Sequence, residues 1–306
     1  MRKVIAVGQS CIDIVHVDYK PAMSYVGGRI ANMAASLSRT GVPVEYVSEC
    51  GQDSVGDMIV DFLQSNGVGT KSVDRFTEGL SPISLIFRDA EGRERYSEYV
   101  KYPKTRFDIL WPKIEEDDIV VFGSYFSIDE NVRKPLSEFL AYAQERKALL
   151  VYLPGFQPEL CSRITRVMPY IFENLEMADI VIARESDMAK IFEKSDSKKC
   201  YDEHIRFYSR YFLFSNNQYD ISLYADNAEI HRTAEAKPTN ALGWNASVCA
   251  GFVYGLIQSG IGRESLAEGD WNRVADTAMA FAADSAKSGA NVITTAFAGS
   301  LGNDMR

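Results

Sequence analysis

Residues 27–41 read GGRIANMAASLSRTG. A Gly pair just before a helix lets backbone approach a ligand closely and leaves amide donors exposed. The apolar spacing predicts a helix from about Ile30 to Arg39, stopped near Gly41 and Pro43. Asn32 falls in its first turn, where a side-chain amide suits hydrogen bonds to a polyol. Taken alone, the stretch reads more readily as a Gly-rich helix entry with Asn32 bonded locally.

Short apolar runs lie on either side of it. VIAVG (Val4 to Gly8), VEYVS (Val44 to Ser48), DIVVFG (Asp118 to Gly123), LLVYL (Leu149 to Leu153), DIVIA (Asp179 to Ala183) and YFLFS (Tyr211 to Ser215) read as buried strands. Several are apolar on both faces, as parallel strands covered by helices must be. Helices are expected between them, with Asp57 to Gln64 closed by Gly67, and two Ala-rich ones over Ala246 to Gln258 and Trp271 to Lys287. Strand alternating with helix predicts an α/β fold with a doubly wound, mostly parallel sheet flanked by helices.

One stretch departs from that rhythm. Pro82 to Val100 alternates apolar and polar residues on both sides of Asp89-Ala90-Glu91-Gly92, a hairpin signal. Asp13 to Val17 alternates as well. These strands, at about 13–20 and 82–102, are expected to form a small β-sheet lid inserted into a single domain covering 1–306.

The chain has 306 residues and a formal charge of −9. That acidity argues against a nucleic-acid binder. The histidines, His16, His204 and His231, fall in no metal-ligand spacing, which argues against a His-built zinc site or a Ser-His-Asp triad. Five scattered cysteines without a CxxC pair read as reduced thiols. MRKVIAVGQS turns polar too soon for a signal peptide, and no apolar run approaches membrane-spanning length. A cytoplasmic protein without membrane or nucleic-acid partners is expected.

Three motifs sharpen the reading. Asp13 lies a few residues past the first strand, with Gly27 and Gly28 about 14 residues on. GQDSVG (Gly51 to Gly56) follows the strand ending at Ser48, and NALGWNASVCAGF (Asn240 to Phe252) opens an Ala-rich helix. In this order the chain resembles the ribokinase family, also called PfkB carbohydrate kinases, from Val4 to about Ala290. The resemblance implies a large α/β domain, a small β lid that usually makes a dimer contact, and transfer of the ATP γ-phosphate to a sugar or nucleoside hydroxyl. It implies that Asp13, Gly27, Gly28 and Asn32 hold substrate hydroxyls. Carboxylates and amides accept hydrogen bonds and fix orientation.

The phosphate-handling motifs depart from the family pattern. The family's D-T-x-G-A-G-D falls on Asn240, Ala241, Leu242, Gly243, Trp244, Asn245 and Ala246. Ala246 therefore stands at the family's catalytic aspartate, the base that deprotonates the attacking hydroxyl. Loss of a general base costs about 10²–10⁴-fold in rate. Gly243, Trp244 and Asn245 occupy the anion hole, where side chains on the last two would obstruct a phosphate. Arg184 and Asp187 stand where the family's N-x-x-E supports Mg²⁺, which makes Asp187 the candidate metal residue. Ser215 and Asn217 stand in the family's T-x-G-x-x-G nucleotide turn, with Asp220 at its last glycine. Pro154 to Gln157 lack the charges of the family's D-x-N-x-R. The sequence therefore leaves two readings: a carbohydrate kinase using ATP and Mg²⁺, or a catalytically inactive pseudokinase that binds a sugar or nucleoside in a sensing or regulatory role, without a cofactor. In a kinase, Asp220, Asp187 or a water would have to replace the missing base. In either case a homodimer through the lid is expected to cover its edge strands.

Overall fold

The computed structural model describes residues 2–89, 93–226, 228–235, 237–238 and 242–302. The chain opens with β1 (Val4–Val7), β2 (Cys11–Val17) and β3 (Lys20–Gly27), then α1 (Arg29–Arg39), β4 (Val44–Gly51), α2 (Ser54–Ser65) and β5 (Gly69–Phe76). A hairpin follows, β6 (Leu80–Arg88) and β7 (Glu94–Lys101). Its expected turn residues, Ala90, Glu91 and Gly92, lie outside the described residues, as do Asn240 and Ala241. The second half alternates β8 (Ile119–Gly123), α3 (Arg133–Glu145), β9 (Leu149–Leu153), α4 (Ile164–Met177), β10 (Ile180–Arg184), α5 (Glu185–Phe192) and α6 (Ser197–Cys200). It ends with β11 (Tyr211–Ser215), β12 (Ile221–Ala225), β13 (Ala228–Arg232), α7 (Trp244–Gln258), α8 (Trp271–Ser288) and α9 (Thr295–Gly302).

Nine strands form one sheet in the order β13-β12-β11-β10-β9-β8-β1-β4-β5. Pairing is parallel from β5 through β11, and antiparallel only at β12 and β13. Alternate residues of each central strand enter opposite layers. Val4, Ile119 and Val151 pack with Met33, Phe252 and Phe281 of α1, α7 and α8. Ile5, Val120 and Tyr152 pack with Leu136, Ile171 and Leu175 of α3 and α4. Burial on both faces is why these strands carry no polar alternation. α7 is buried almost all round, lying between α1 and α8.

The remaining four strands make a separate sheet, β3-β2-β6-β7. It takes in Lys20–Gly27, a segment with no strong strand signal, through antiparallel pairing with β2. α2 starts at Ser54, three residues before the expected Asp57. Asp53 caps it by accepting from Gly56 N at 2.8 Å, and its other oxygen accepts from Ser81 N at 2.8 Å. One carboxylate thus caps a helix of the large layer and anchors the first strand of the small sheet's hairpin. Among the described residues, no helix is long and apolar enough to cross a membrane.

Candidate functional site

The site lies where β1, α1 and the small sheet meet. Strand register places Tyr25, Asp13, Ser84 and Glu98 side by side on one face of the small sheet. The Cys11 thiol donates to Asp13 Oδ1 at 3.2 Å. A side chain at position 27 would occupy the space of the Asp13 carboxylate and displace it. Gly28 has φ +105°, and a Cβ there would fall 2.5 Å from Gln9 O. It starts α1 without a side-chain cap, so the first amides of that helix stay available. Asn32 is 3% exposed, and its Oδ1 has no partner. The structure therefore brings Asp13, Gly27, Gly28 and Asn32 together, with unused hydrogen-bonding capacity at Asn32.

Burial pushes the Asp13 carboxyl up to about 6; the Cys11 hydrogen bond opposes this and Glu94 adds to it. Glu98, which accepts from Ser84 Oγ at 3.0 Å, is pushed up to about 7 by burial and by the charge of Asp13. The motif reading passed over Glu98, because only long-range strand pairing sets it beside Asp13. Glu49 was missed as well. This buried carboxylate at the end of β4 is pushed up to about 8 by burial, despite Arg106 Nε at 3.3 Å. Arg106 also pairs with Asp129 and lies 3.8 Å over the Tyr102 ring. This cluster clamps the segment returning from the small sheet.

The phosphate-end residues also meet, but they bond to one another. Ala246 lies buried in the first turn of α7, with no group that accepts a proton. Trp244 is 2% exposed, its ring edge-on to Tyr219 at 5.4 Å. Ser215 Oγ donates to Asn245 Oδ1 at 2.6 Å. Asn217 donates from N and Nδ2 to the Glu185 carboxylate at 2.9 and 2.8 Å. These side-chain contacts close the start of α7 onto the end of β11 and onto the turn that follows it, and Asn217 ties that turn to α5. That turn is an Asx turn, in which Asn216 Oδ1 accepts from Gln218 N and Asp220 N, both at 2.9 Å. Gly243 packs where a Cβ would fall 2.6 Å from Ala290 O.

Asp187 does not fit a metal site. Arg184 holds it bidentately, Nε at 2.6 Å and Nη2 at 2.8 Å, and Arg29 Nη1 stands 3.2 Å away. The two arginines hold its carboxyl below the usual range against the cost of burial. No cluster of three metal-ligating side chains occurs among the described residues. Nor are the substitutes for the base free. Asp187 is taken by guanidinium groups, and Asp220 accepts from Ala234 N at 3.2 Å and Asn216 Nδ2 at 3.3 Å.

These features sit on a chain that matches the pfkB family carbohydrate kinase model over residues 1–290. The chain belongs to that family of carbohydrate kinases. A 5-dehydro-2-deoxygluconokinase of Geobacillus thermodenitrificans is 23% identical over 285 residues, covering 83% of this chain and 80% of that protein. An ATP-dependent 6-phosphofructokinase of Thermoanaerobacterium thermosaccharolyticum is 27% identical over 208 residues, 62% of this chain and 61% of the relative. Among solved structures, Salmonella enterica aminoimidazole riboside kinase, complexed with aminoimidazole riboside and an ATP analogue, superposes with TM-score 0.82 at 15% identity, covering both chains fully at 100%. Vibrio cholerae fructokinase, bound to fructose, ADP and calcium, gives 0.79 at 15% identity, with 98% of this chain and 99% of that one covered. At such identities the superpositions show the ribokinase-like fold.

The raised carboxyl of Asp13 has a consequence for stability. It titrates near 6 in the folded chain, against an ordinary 3.8. The folded state therefore holds this proton more tightly, and the stability Asp13 contributes is present at low pH and lost as pH rises through about 6. Melting temperature is expected to climb between pH 8 and 5, and the climb should be shallower in Asp13→Asn. Each kcal/mol is worth roughly 1–2 °C in a chain of 306 residues. A variant profile as steep as the wild type would contradict the assignment.

Proposed function

We propose that this chain binds a sugar or nucleoside between the small sheet and the start of α1, and that it has lost efficient phosphoryl transfer. The observation that carries this reading is a contrast between the two ends. Asp13, Gly27, Gly28 and unpartnered Asn32 form an intact polar end. At the other end Ala246 offers no base, while the anion-hole and nucleotide-turn residues are bonded to each other. In this reading Asp13 and Asn32 accept ligand hydroxyls, the small sheet acts as the lid, and neither ATP nor Mg²⁺ is required for binding. Family membership supports the alternative, ATP-dependent phosphorylation of the bound hydroxyl. We place the protein in the cytoplasm, where its free cysteines stay reduced.

Isothermal titration against a panel of sugars and nucleosides, with and without Mg-ATP, tests the reading. Binding is expected without Mg-ATP and unchanged by it. Asp13→Ala should lose about 10- to 150-fold in affinity, the worth of a hydrogen bond to a charged group. Unchanged affinity in that variant would remove the site assignment, and turnover with Mg-ATP would restore the kinase reading.

The base alone is not the obstacle in this account. Ala246→Asp is expected to leave Mg-ATP-dependent phosphorylation of the bound sugar undetectable, because Trp244 and the Asn245–Ser215 bond remain. A gain of about 10²–10⁴-fold would show that only the base was missing.

We further propose a homodimer through the small sheet. Leu80, Tyr99 and Val100 are exposed on it and border a cavity of about 600 Å³ that also touches Asp53, Ile83 and Lys101. A second copy covers both this apolar surface and the sheet edges. Light scattering is expected to give twice the 34.2 kDa chain mass; a monomer at micromolar concentration would refute it.

A further inference from the structure

We propose that the ligand of this site is an amino sugar, its protonated amine held by Glu98 of β7 next to Asp13 of β2. This names a ligand class for the sugar-binding reading above and rests on it.

The small sheet carries these groups in a row. Asp13 pairs with Ser84, and Ser84 pairs with Glu98, so the three side chains leave neighbouring strands on one face. Neighbouring strands lie about 4.8 Å apart, which sets the two acidic positions about 9–10 Å apart across Ser84. Ser84 Oγ donates to Glu98 Oε1 at 3.0 Å and holds that carboxylate over the middle strand, on the Asp13 side. The charges there do not balance. The groups acting on Asp13 are the Cys11 thiol and Glu94, and those acting on Glu98 are the Ser84 hydroxyl, Asp13 and Glu159. None of them is a cation. Glu94 is already compensated, with Arg88 Nη2 at 2.7 Å. Glu159, exposed on the loop after β9, adds a third carboxylate. Arg184 acts on Tyr96 of this face, but Asp187 holds it bidentately. Burial raises the Cys11 thiol and the Tyr96 phenol, so both stay neutral. Partly buried carboxylates without a counter-charge repel one another, and a bound cation relieves both.

A ligand can reach this pair. Asp13 and Glu98 are each half-buried, so both still meet solvent. Asn32, at the same end, is 3% exposed and keeps Oδ1 without a partner, an independent sign that a hydrogen-bond donor from outside belongs here. A neutral sugar meets that need through its hydroxyls and leaves the excess negative charge unanswered. A sugar acid would add one more carboxylate to those of Asp13, Glu98 and Glu159. An ammonium brings a positive charge and three donors with no acceptor, which suits a carboxylate beside a second carboxylate. The remaining hydroxyls of an amino sugar then serve Asn32 and Asp13 as in the reading above. Glu98 therefore sets which sugar is preferred, while Asp13 and Asn32 hold what all sugars share.

The test is titration of the full chain near neutral pH, without divalent metal, against glucosamine, galactosamine and mannosamine, each beside its parent sugar. N-acetylglucosamine, gluconate and methylamine are the controls. At least one amino sugar is expected to bind about 10- to 100-fold more tightly than its parent, the worth of a charge-assisted hydrogen bond. In Glu98→Gln, which keeps an oxygen for Ser84, that gap should fall to roughly twofold or less while the parent sugar binds as before. This variant is expected to melt at or above the wild-type temperature, because a repelling charge is gone. Where circular dichroism shows it unfolded, the wild type itself serves: salt at about 1 M should narrow the gap and leave parent-sugar binding unchanged. Equal affinity for every amino sugar and its parent, a gap that survives Glu98→Gln or salt, or N-acetylglucosamine or gluconate binding as tightly as the amino sugars would overturn the proposal. Sugar binding that depends on Asp13 without an amine preference would refute the amine and keep the sugar reading. Methylamine binding that depends on Glu98 without any sugar binding would refute the sugar ligand and keep the cation site.

Discussion

One buried carboxylate organises the phosphate end of this molecule. Asp187 is 2% exposed and shared between Arg184, on the strand that precedes its own helix, and Arg29, from the helix that follows the Gly pair. A charge removed from water in this way must be paired, and its pairing fixes what its neighbours can do. Arg29, drawn toward Asp187 and the end of β9, ties the start of α1 to the far half of the sheet. Arg184, committed to Asp187, leaves the preceding strand end cationic where the family resemblance implies an amide. Beside them, Glu185 holds the turn through Asn217, and Ser215 holds the start of α7 through Asn245. Side chains thus join the end of β11 to the start of α7 and the turn after β11 to α5.

The opposite end is built on vacancy. Gly27 leaves room for the Asp13 carboxylate, and Gly28 adopts a backbone conformation that only glycine takes easily. Asp13 and Glu98 are both held above the ordinary carboxylate range, and Asn32 keeps an unpartnered oxygen. Buried polar atoms of this kind are costly unless something hydrogen-bonds them. A hydroxyl-rich ligand would satisfy them.

The central strands were legible in the sequence because burial on both faces makes them continuous apolar runs, and Gly51 to Gly56 and Gly27 to Asn32 have local spacing that survives divergence. The antiparallel strands β12 and β13 were not foreseen. ISLYA (Ile221–Ala225) is short and carries Ser222, and AEIHR (Ala228–Arg232) lies at the sheet edge and is mostly exposed. The start of α2 was placed late because Asp53 was read as part of a glycine motif and not as a helix cap. Asp187 and Arg184 were singled out as departures, but their mutual pairing and the reach of Arg29 across 158 positions depend on folding. The basic residue directly after the Gly pair was the available signal. Glu98 was hidden for a similar reason: strand alternation puts it on a face, and only register puts that face beside Asp13.

We propose a molecule whose phosphate end is closed by its own side chains while its sugar end remains available. A crystal structure of the chain grown with a bound sugar and excess Mg-ATP tests it most directly. The expected result is sugar density against Asp13 and Asn32, Arg184 still bidentate on Asp187, and Asn245 still bonded to Ser215. A magnesium ion beside Asp187, with a triphosphate laid over Gly243 and Trp244 swung away from Tyr219, would contradict it.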